Sequence, residues 1–527
     1  MASHLIVFGG AGEVGGNKIF LEDDDLRLWL DFGTSFSRHR AFFNEFLRPR
    51  SARGLWDLLA LGLLPPIYGL YREDLAWPDL WERFAGISII LSRDPRPASD
   101  AVLITHAHLD HMGDITFLDP AIPLVMTPMT AAVVRAMQVT GGSGFMYEWC
   151  YLTQRVWDER SGTLRAEKQG PYRGRRFNLL ADSIPPELQE WWQHPPGRTK
   201  QLSTPPLGKF SGSVGNRRVC WWPVDHSIPG AVTFAVETQA GWVAYTGDLR
   251  FHGRQKAASE KLQEDWRRME IAVLLCEGTR LGERKSMHVT EEQVFDNALK
   301  LTRHAEGRLV IADFATRNLE RLQTFLEVAR QTGRCLVIQP RDAYLLEAAA
   351  RVSSAFHEIY QDSRICLRND PKVRLDLWEQ DLQERWTNRM VEPSEISKDP
   401  GGYLLCCGLL DMNDLLDLDP ASLEGALYLY ANSKAYDEEQ AVDLERLRQW
   451  VRHLGMRMEG DPDDPHARPL HASGHAGEDE LAAFVRAVRP RMLVPVHTEE
   501  PKQWEEILRG TSIGLRIPEL GQQIPIG

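Results

Sequence analysis

Residues 101–111 read Ala-Val-Leu-Ile-Thr-His-Ala-His-Leu-Asp-His. The apolar run Ala101–Thr105 has the composition of a short buried strand. Directly behind it, His106, His108, Asp110 and His111 place four metal-competent side chains within six residues. A strand-to-loop exit can present His106 and His108 to one ion while Asp110 and His111 reach a second. Imidazole and carboxylate donors suit zinc, and also manganese. A chance cluster of surface histidines is the bland alternative. Three His and one Asp packed behind an apolar strand match it poorly.

A dinuclear site needs further ligands from distant segments. His226 in VDHSIPGA follows the strand-like segment Val219–Val224. Asp248 in YTGDLRFHG follows Trp242–Thr246, with another such segment at Val232–Glu237. A lone histidine or aspartate would usually mean nothing. Two-metal hydrolases, however, repeatedly need a carboxylate that bridges the ions, and Asp248 is the candidate. Asp31, at the end of the strand in LRLWLDFG, is expected to orient a ligand histidine.

The chain as a whole sets the frame. Its 527 residues exceed one compact core, so two or more domains are expected. Hydrophobic content of 43% and charged content of 26% are those of a globular protein. No apolar run reaches the roughly 18 to 20 residues of a membrane span. The start, MASHLIVFGG, lacks the pattern of a secretory signal. Seven cysteines without CxxC spacing predict reduced thiols and a cytoplasmic setting. A net charge of −13 argues against indiscriminate adhesion to nucleic acid. It leaves room for a local basic groove around a metal centre.

Along the chain, His4–Phe8 leads into the Gly-rich turn GGAGEVGGN, then into the strand pair Lys18–Glu22 and Arg27–Asp31. The glycines run into a strand rather than the helix a dinucleotide site needs, so a tight turn beside an active site is the preferred reading. Residues 38–97 look like an inserted helical cover, and Thr130–Gln138 like a helix. Residues 142–218 form a second excursion rich in Trp, Arg and Pro, including Arg173, Arg175, Arg176, Trp191, Trp192, Arg217 and Arg218. Such a mixture binds nucleic acid or merely coats a core. Ile271–Cys276 reads as a buried strand. From about 278 to 458, helices (Glu291–Arg303, Asn318–Gln331) alternate with strands (Leu309–Asp313, Cys335–Gln339), which predicts parallel α/β structure. A polar linker at Glu459–Pro469 precedes helix Glu478–Val488 and strand Met492–Val496.

HAHLDH resembles the HxHxDH signature of the metallo-β-lactamase superfamily, and Asp31, His226 and Asp248 follow in that superfamily's order. His471-Ala472-Ser473-Gly474-His475-Ala476 resembles the HxSGHA motif of its β-CASP branch, and Pro495-Val496-His497-Thr498-Glu499 that branch's PVHxE motif. GGAGEVGGN, HSIPGA, TGDLRF and DFATRNLERLQ are similar to segments of the ribonuclease J group. The resemblance implies an α/β fold: an αββα sandwich with an inserted α/β β-CASP domain. It implies boundaries at 1–277, 278–465 and 466–527, with the insertions near 38–97 and 142–218 inside the first part. It adds His497 to the metal ligands His106, His108, Asp110, His111, His226 and Asp248, for two Zn2+, or Mn2+. Asp110 counts also among the catalytic residues. His475 is implied as proton donor, oriented by Glu277. Ser473, Gly474, Thr316 and Arg317 are implied as phosphate contacts.

Departures qualify the resemblance. Where ribonuclease J has the Gly-rich segment TGSQGEP, this chain reads CCGLLDMNDLLDL, with aspartates in place of small residues. That speaks against 5′-exonuclease action. Both insertions are longer than the family's pattern. Thirty residues follow His497, so the additional C-terminal dimerisation domain of many ribonuclease J proteins is not expected, while a homo-oligomer stays open. The reading is a metal-dependent ribonuclease with RNA as partner and no membrane. Its rivals are a DNA nuclease, a small-molecule hydrolase and a non-catalytic nucleic-acid-binding subunit. His252, His288, His304, His471 and Asp313 are weaker candidates for the site.

Overall fold

The computed structural model describes residues 3–44, 46–84, 98–195, 201–203, 205, 207–283, 289–369, 371–434 and 438–526. Its centre is a pair of mixed sheets packed face to face. The first, of eight strands, carries the order 208–209, 177–179, 124–126, 101–103, 26–32, 18–23, 4–9 and 523–525. The second, of seven, runs 213–214, 217–223, 232–238, 241–245, 271–276, 492–495 and 514–515. Period-two alternation builds the layers. In Lys18–Asp23, Ile19 and Leu21 enter the core between the sheets, while Phe20 joins the core on the outer face. Val273 and Leu275 face the first sheet, while Leu274 and Cys276 meet the helices Lys256–Trp266 and Glu478–Val488 on the far side. The result is the expected helix–sheet–sheet–helix sandwich.

A third sheet, of seven strands between residues 310 and 459, is parallel in every pairing. It interrupts the second sheet in sequence. Ile271–Cys276 precedes it, Met492–Pro495 follows it, and these two strands pair in parallel. Its entry is fixed locally: Thr290 caps Glu291–His304 in a reciprocal capping box with Gln293.

The excursions are mostly packing. Residues 38–84 form short helices whose Leu55, Leu58, Leu59 and Leu64 join the outer core; residues 85–97 lie outside the described ones. Arg175 is buried and donates to the carbonyls of Glu148 (3.2 Å) and Leu118 (2.7 Å), and also to that of Thr116. Trp192 is buried against Phe177. Arg173, Arg176 and Arg218 are exposed. Strand Ala101–Leu103 stops before Thr105 because the Thr105 N–H is taken by the Asp31 carboxylate at 2.7 Å.

Candidate metal centre

In the second sheet the strands Arg217–Pro223, Gly241–Tyr245, Ile271–Cys276 and Met492–Pro495 all point the same way. Their C-terminal ends release His226, Asp248, Glu277 and His497 at one edge of the sandwich. The first sheet delivers Asp31 and the 106–111 loop to the same edge. This is the end of a sheet at which α/β folds present functional side chains.

Two ligand sets result. His106 Nε2, His108 Nδ1 and His226 Nε2 surround one point: His108 Nδ1 lies 3.1 Å from each of the other two nitrogens. Asp248 Oδ2 lies 3.6 Å from His106 Nε2 and 3.7 Å from His226 Nε2. Beside it, Asp110 Oδ2 is 3.2 Å from His497 Nε2 and 3.8 Å from His111 Nε2. Asp248 closes this set too, at 3.2 Å from His111 Nε2 and 3.7 Å from His497 Nε2. Bonds of about 2.0 to 2.1 Å to a tetrahedral ion put neighbouring ligand atoms roughly 3.3 Å apart, close to these separations. His111 Nε2 and Asp248 Oδ1 are buried without a hydrogen-bond partner. Burying donors and acceptors unpaired is costly unless something else satisfies them. The cluster thus fits metal binding.

The other ring nitrogens are held by the protein. His111 Nδ1 donates to Asp31 Oδ2 at 2.7 Å, which also accepts from the Thr105 and Tyr245 hydroxyls at 2.7 Å each. His226 Nδ1 donates to the Gly474 carbonyl at 2.6 Å. His497 Nδ1 meets the Thr279 hydroxyl at 2.9 Å. Each bond leaves Nε2 as the free lone pair aimed at the ligand cluster. Asp31 and His497 both sit at positive φ, 57° and 54°, a strained backbone that recurs at functional sites. A Cβ on Gly15 would lie 2.8 Å from the Asp110 Cβ, so the Gly-rich turn lies against Asp110.

Electrostatics follow the same division. Burial drives His106 and His108 well below the usual imidazole value, neighbouring histidines adding to it, and takes His226 down to about 4. These rings stay neutral, as ligands must. Burial opposes charge on Asp110 and Asp248, but the adjacent histidines hold both carboxyls below the ordinary range.

His475 stands at the rim with its side chain 20% exposed. Its Nδ1 is 3.1 Å from Glu277 Oε2. Burial pulls this imidazole down, yet Glu277 and Asp248 push it up to about 9. Glu277 also accepts from Leu249 N (2.9 Å) and from the Thr279 hydroxyl (2.8 Å), so its oxygens are occupied by protein donors. Ser473 and Gly474 border the centre: Ser473 Oγ accepts from His475 N at 3.1 Å. A Cβ on Gly474 would come within 2.7 Å of Ser227 Oγ. Arg317 lies across the gap, 4.0 Å from Met137 Sδ, near enough for its charge to act on His108 and for Asp110 to act on it. Thr316 is exposed beside it.

The remaining candidates that the structure describes are held by protein partners. His252 bonds the Ser473 carbonyl (3.1 Å) and Glu480 (3.2 Å), and His471 the Ala431 carbonyl (3.3 Å). His304 caps its own helix through Lys300 O. His288 lies outside the described residues. Asp313 accepts from Tyr428 and Asn432. Sequence reading missed Thr279, Thr105 and Tyr245. Thr105 and Thr279 stand next to or two residues from recognised positions, a signal that adjacency alone does not turn into a role.

Among known proteins, the family "RMMBL: Zn-dependent metallo-hydrolase RNA specificity domain" matches residues 467–504. Ribonuclease J of Mycolicibacterium smegmatis is 24% identical over 418 residues, covering 76% of this chain and 58% of that protein. Ribonuclease J of Mycoplasma pneumoniae is 22% identical over 513 residues, covering 94% and 68%. The chain spans roughly three fifths to two thirds of the length of such relatives. A crystal structure of a protein of unknown function from Enterococcus faecalis V583 shares the fold, with a TM-score of 0.66 at 20% identity over 99% of this chain and 100% of that one. Among the described residues no helix is long and apolar enough to cross a membrane. Over most of its length the chain is similar to ribonuclease J proteins, and it carries a stretch similar to the RNA specificity domain of zinc-dependent metallo-hydrolases.

Proposed function

We propose that this protein is a metal-dependent ribonuclease that hydrolyses phosphodiester bonds in RNA. The observation that carries the reading is the pair of His/Asp clusters that Asp248 touches, with a Glu277-bound histidine at their rim. His106, His108, His226 and Asp248 would hold one ion. Asp110, His111, His497 and Asp248 would hold the other, zinc in the first instance and manganese as a substitute. Two such ions supply Lewis acidity: charge stabilisation on a phosphoryl oxygen and a water acidified toward neutrality.

The chain's own residues do the rest. Glu277 fixes His475 by Nδ1, leaving Nε2–H to be delivered to the departing ribose oxygen as the P–O bond breaks. Arg317, with Ser473 and Gly474, would position the phosphate opposite that proton. In this reading residues 1–277 and 466–527 form the catalytic unit and 278–465 the β-CASP unit that closes over substrate.

The test uses end-labelled single-stranded RNA and DNA of one sequence with zinc- or manganese-loaded protein. Metal-dependent cleavage of RNA that disappears in Asp110→Ala/His111→Ala supports the proposal. Selective DNA cleavage, or none, overturns it. His475→Ala should lower turnover about 100-fold or more with metal content unchanged; loss of a metal ion instead would refute the proton-donor role.

A further inference from the structure

The same strands that present the metal centre at their C-terminal ends build a second feature at their N-terminal ends. A cleft of about 1100 Å³ opens there, around the starts of Arg217–Pro223, Gly241–Tyr245, Ile271–Cys276 and Met492–Pro495. Arg218, Arg267, Arg268, Arg489 and Arg491 line it, all exposed, together with the half-buried rings of Trp222 and Trp242. The nearby acids are Glu270 in the lining, Glu237, 3.5 Å from Arg218, and Asp265, which accepts from Trp222 Nε1 at 3.1 Å and is acted on by the charge of Arg268. In a chain of net charge −13, five arginines gathered from three separate segments are a local reversal of sign.

Arg267 and Arg489 are presented rather than consumed. Among the described residues, the side chains of Arg267 and Arg489 make no salt bridge or hydrogen bond. Arg218 lies over the Trp242 ring, 5.2 Å from its centroid, and pairs with Glu237 at 3.5 Å. Arg491 reaches the Ala240 carbonyl. Arg489 ends the helix Glu478–Val488 in a left-handed conformation, φ 56°, where glycine is the relaxed choice. Guanidinium groups beside half-buried indoles match a strand of phosphates and bases, the pairing used by single-strand-binding grooves. An acidic protein surface would use the charges and leave the rings idle.

We propose that this cleft is a second RNA-contacting surface, which grips single-stranded substrate remote from the bond being cut. The proposal rests on the ribonuclease reading for its substrate. The strand Ile271–Cys276, of six residues, separates the cleft from the metal centre by roughly 20 Å. A short oligonucleotide therefore fills one site and a long strand spans both.

The test compares metal-loaded wild type with Arg267→Ala/Arg489→Gly/Arg491→Ala, on a tetranucleotide and on a long single-stranded RNA. The variant should raise KM for the long strand about 10- to 100-fold and flatten the log–log salt dependence of its binding by about 2, for three lost phosphate contacts. Its kcat and its kinetics on the tetranucleotide should match wild type. The triple Arg→Lys variant should restore the salt slope, and coincident thermal melts exclude misfolding. Equal KM and equal salt slope on the long strand overturn the proposal. So does a change in oligomeric state with RNA binding intact, since the cleft would then be a contact between copies. If wild type cleaves no RNA, fluorescence anisotropy with the same labelled strand still decides: unchanged affinity and slope in the variant refute the cleft, whereas weakened binding upholds it and refutes only the ribonuclease reading.

Discussion

Thr279 ties three functional side chains with one hydroxyl. It donates to Glu277 Oε2 at 2.8 Å, accepts from His497 Nδ1 at 2.9 Å, and lies 3.1 Å from His475 Nδ1. It therefore sets the ring orientation of a candidate metal ligand and of the rim histidine together. Such partners change metal affinity or activity about 10- to 100-fold when removed. Thr279→Val keeps the shape and deletes the hydroxyl. It should weaken metal binding by about 10-fold and lower kcat by a similar factor, with Thr279→Ser restoring both. Metal titration calorimetry alongside steady-state kinetics checks this; a variant with wild-type metal affinity and kcat would remove Thr279 from the machinery.

At the level of elements, a buried ionic network joins the inserted sheet to the loop that carries His475. Arg250 donates to Asp225 (3.0 Å), Glu291 (3.2 Å), Glu320 (3.0 Å) and the Ser473 carbonyl (3.0 Å). Arg321 donates to Glu291 (3.1 Å) and to the carbonyls of Ala431 (2.8 Å) and Leu470 (3.0 Å). Glu291 starts the first helix of the insert, and burial is outweighed by Arg321 and Arg250, which bring its carboxyl down to about 2. Arg321→Met would leave this buried charge half-paired, a loss of about 3 to 5 kcal/mol. Urea denaturation should register that loss, and turnover should fall with it as the 470–475 loop loosens.

The end of strand Val310–Asp313 has its own pH signature. Burial lifts the Asp313 carboxyl to about 7, against the Tyr428 and Asn432 hydrogen bonds. Between the unfolded value of 3.8 and about 7 the folded chain holds this proton more tightly than the unfolded one. The group's contribution to stability therefore declines as pH rises through that window and is flat above it, by an amount on the order of 4 kcal/mol. Asp313→Asn removes the titration, and the Tyr428 hydroxyl can turn to the Cys407 carbonyl, 3.4 Å away. The difference in unfolding free energy, variant minus wild type, should grow from pH 4 to pH 7 and then level off. A flat difference would mean that Asp313 titrates normally in the fold.

Across the whole molecule, the sandwich gathers Asp110, Asp248 and Glu277 with six histidines at one edge, where His111 Nε2 and Asp248 Oδ1 lack hydrogen-bond partners. Ions bound there stabilise the native state alone. At a thousandfold excess over Kd one ion contributes about 4 kcal/mol. Chelation should lower the melting temperature by roughly 5 to 10 °C for a unit of this size, and zinc or manganese should restore it. Magnesium should restore far less, because it favours oxygen ligands. An unchanged melt with and without chelator would argue against bound ions in this cluster.

Much of this was legible in sequence because it is local. Four metal-competent side chains follow one strand within six residues, and an apolar run and a helical pattern located Ile271–Cys276 and Glu478–Val488 as the structure has them. Periodicity says which way a side chain faces from its own strand; it is silent on which strand ends meet. His226, Asp248 and His497 came together with the 106–111 loop only through the order of the second sheet, which pairs Ile271–Cys276 with Met492–Pro495 across the whole inserted unit. Thr279 acquired its three partners the same way. So did the arginines: Arg175 was drawn inward by the carbonyls of Glu148, Thr116 and Leu118, while Arg218 and Arg491 were left at the open ends of strands. Composition treats these arginines alike. Only long-range strand pairing, set by burial of apolar faces far apart in the chain, decides which of them is packing and which faces a partner.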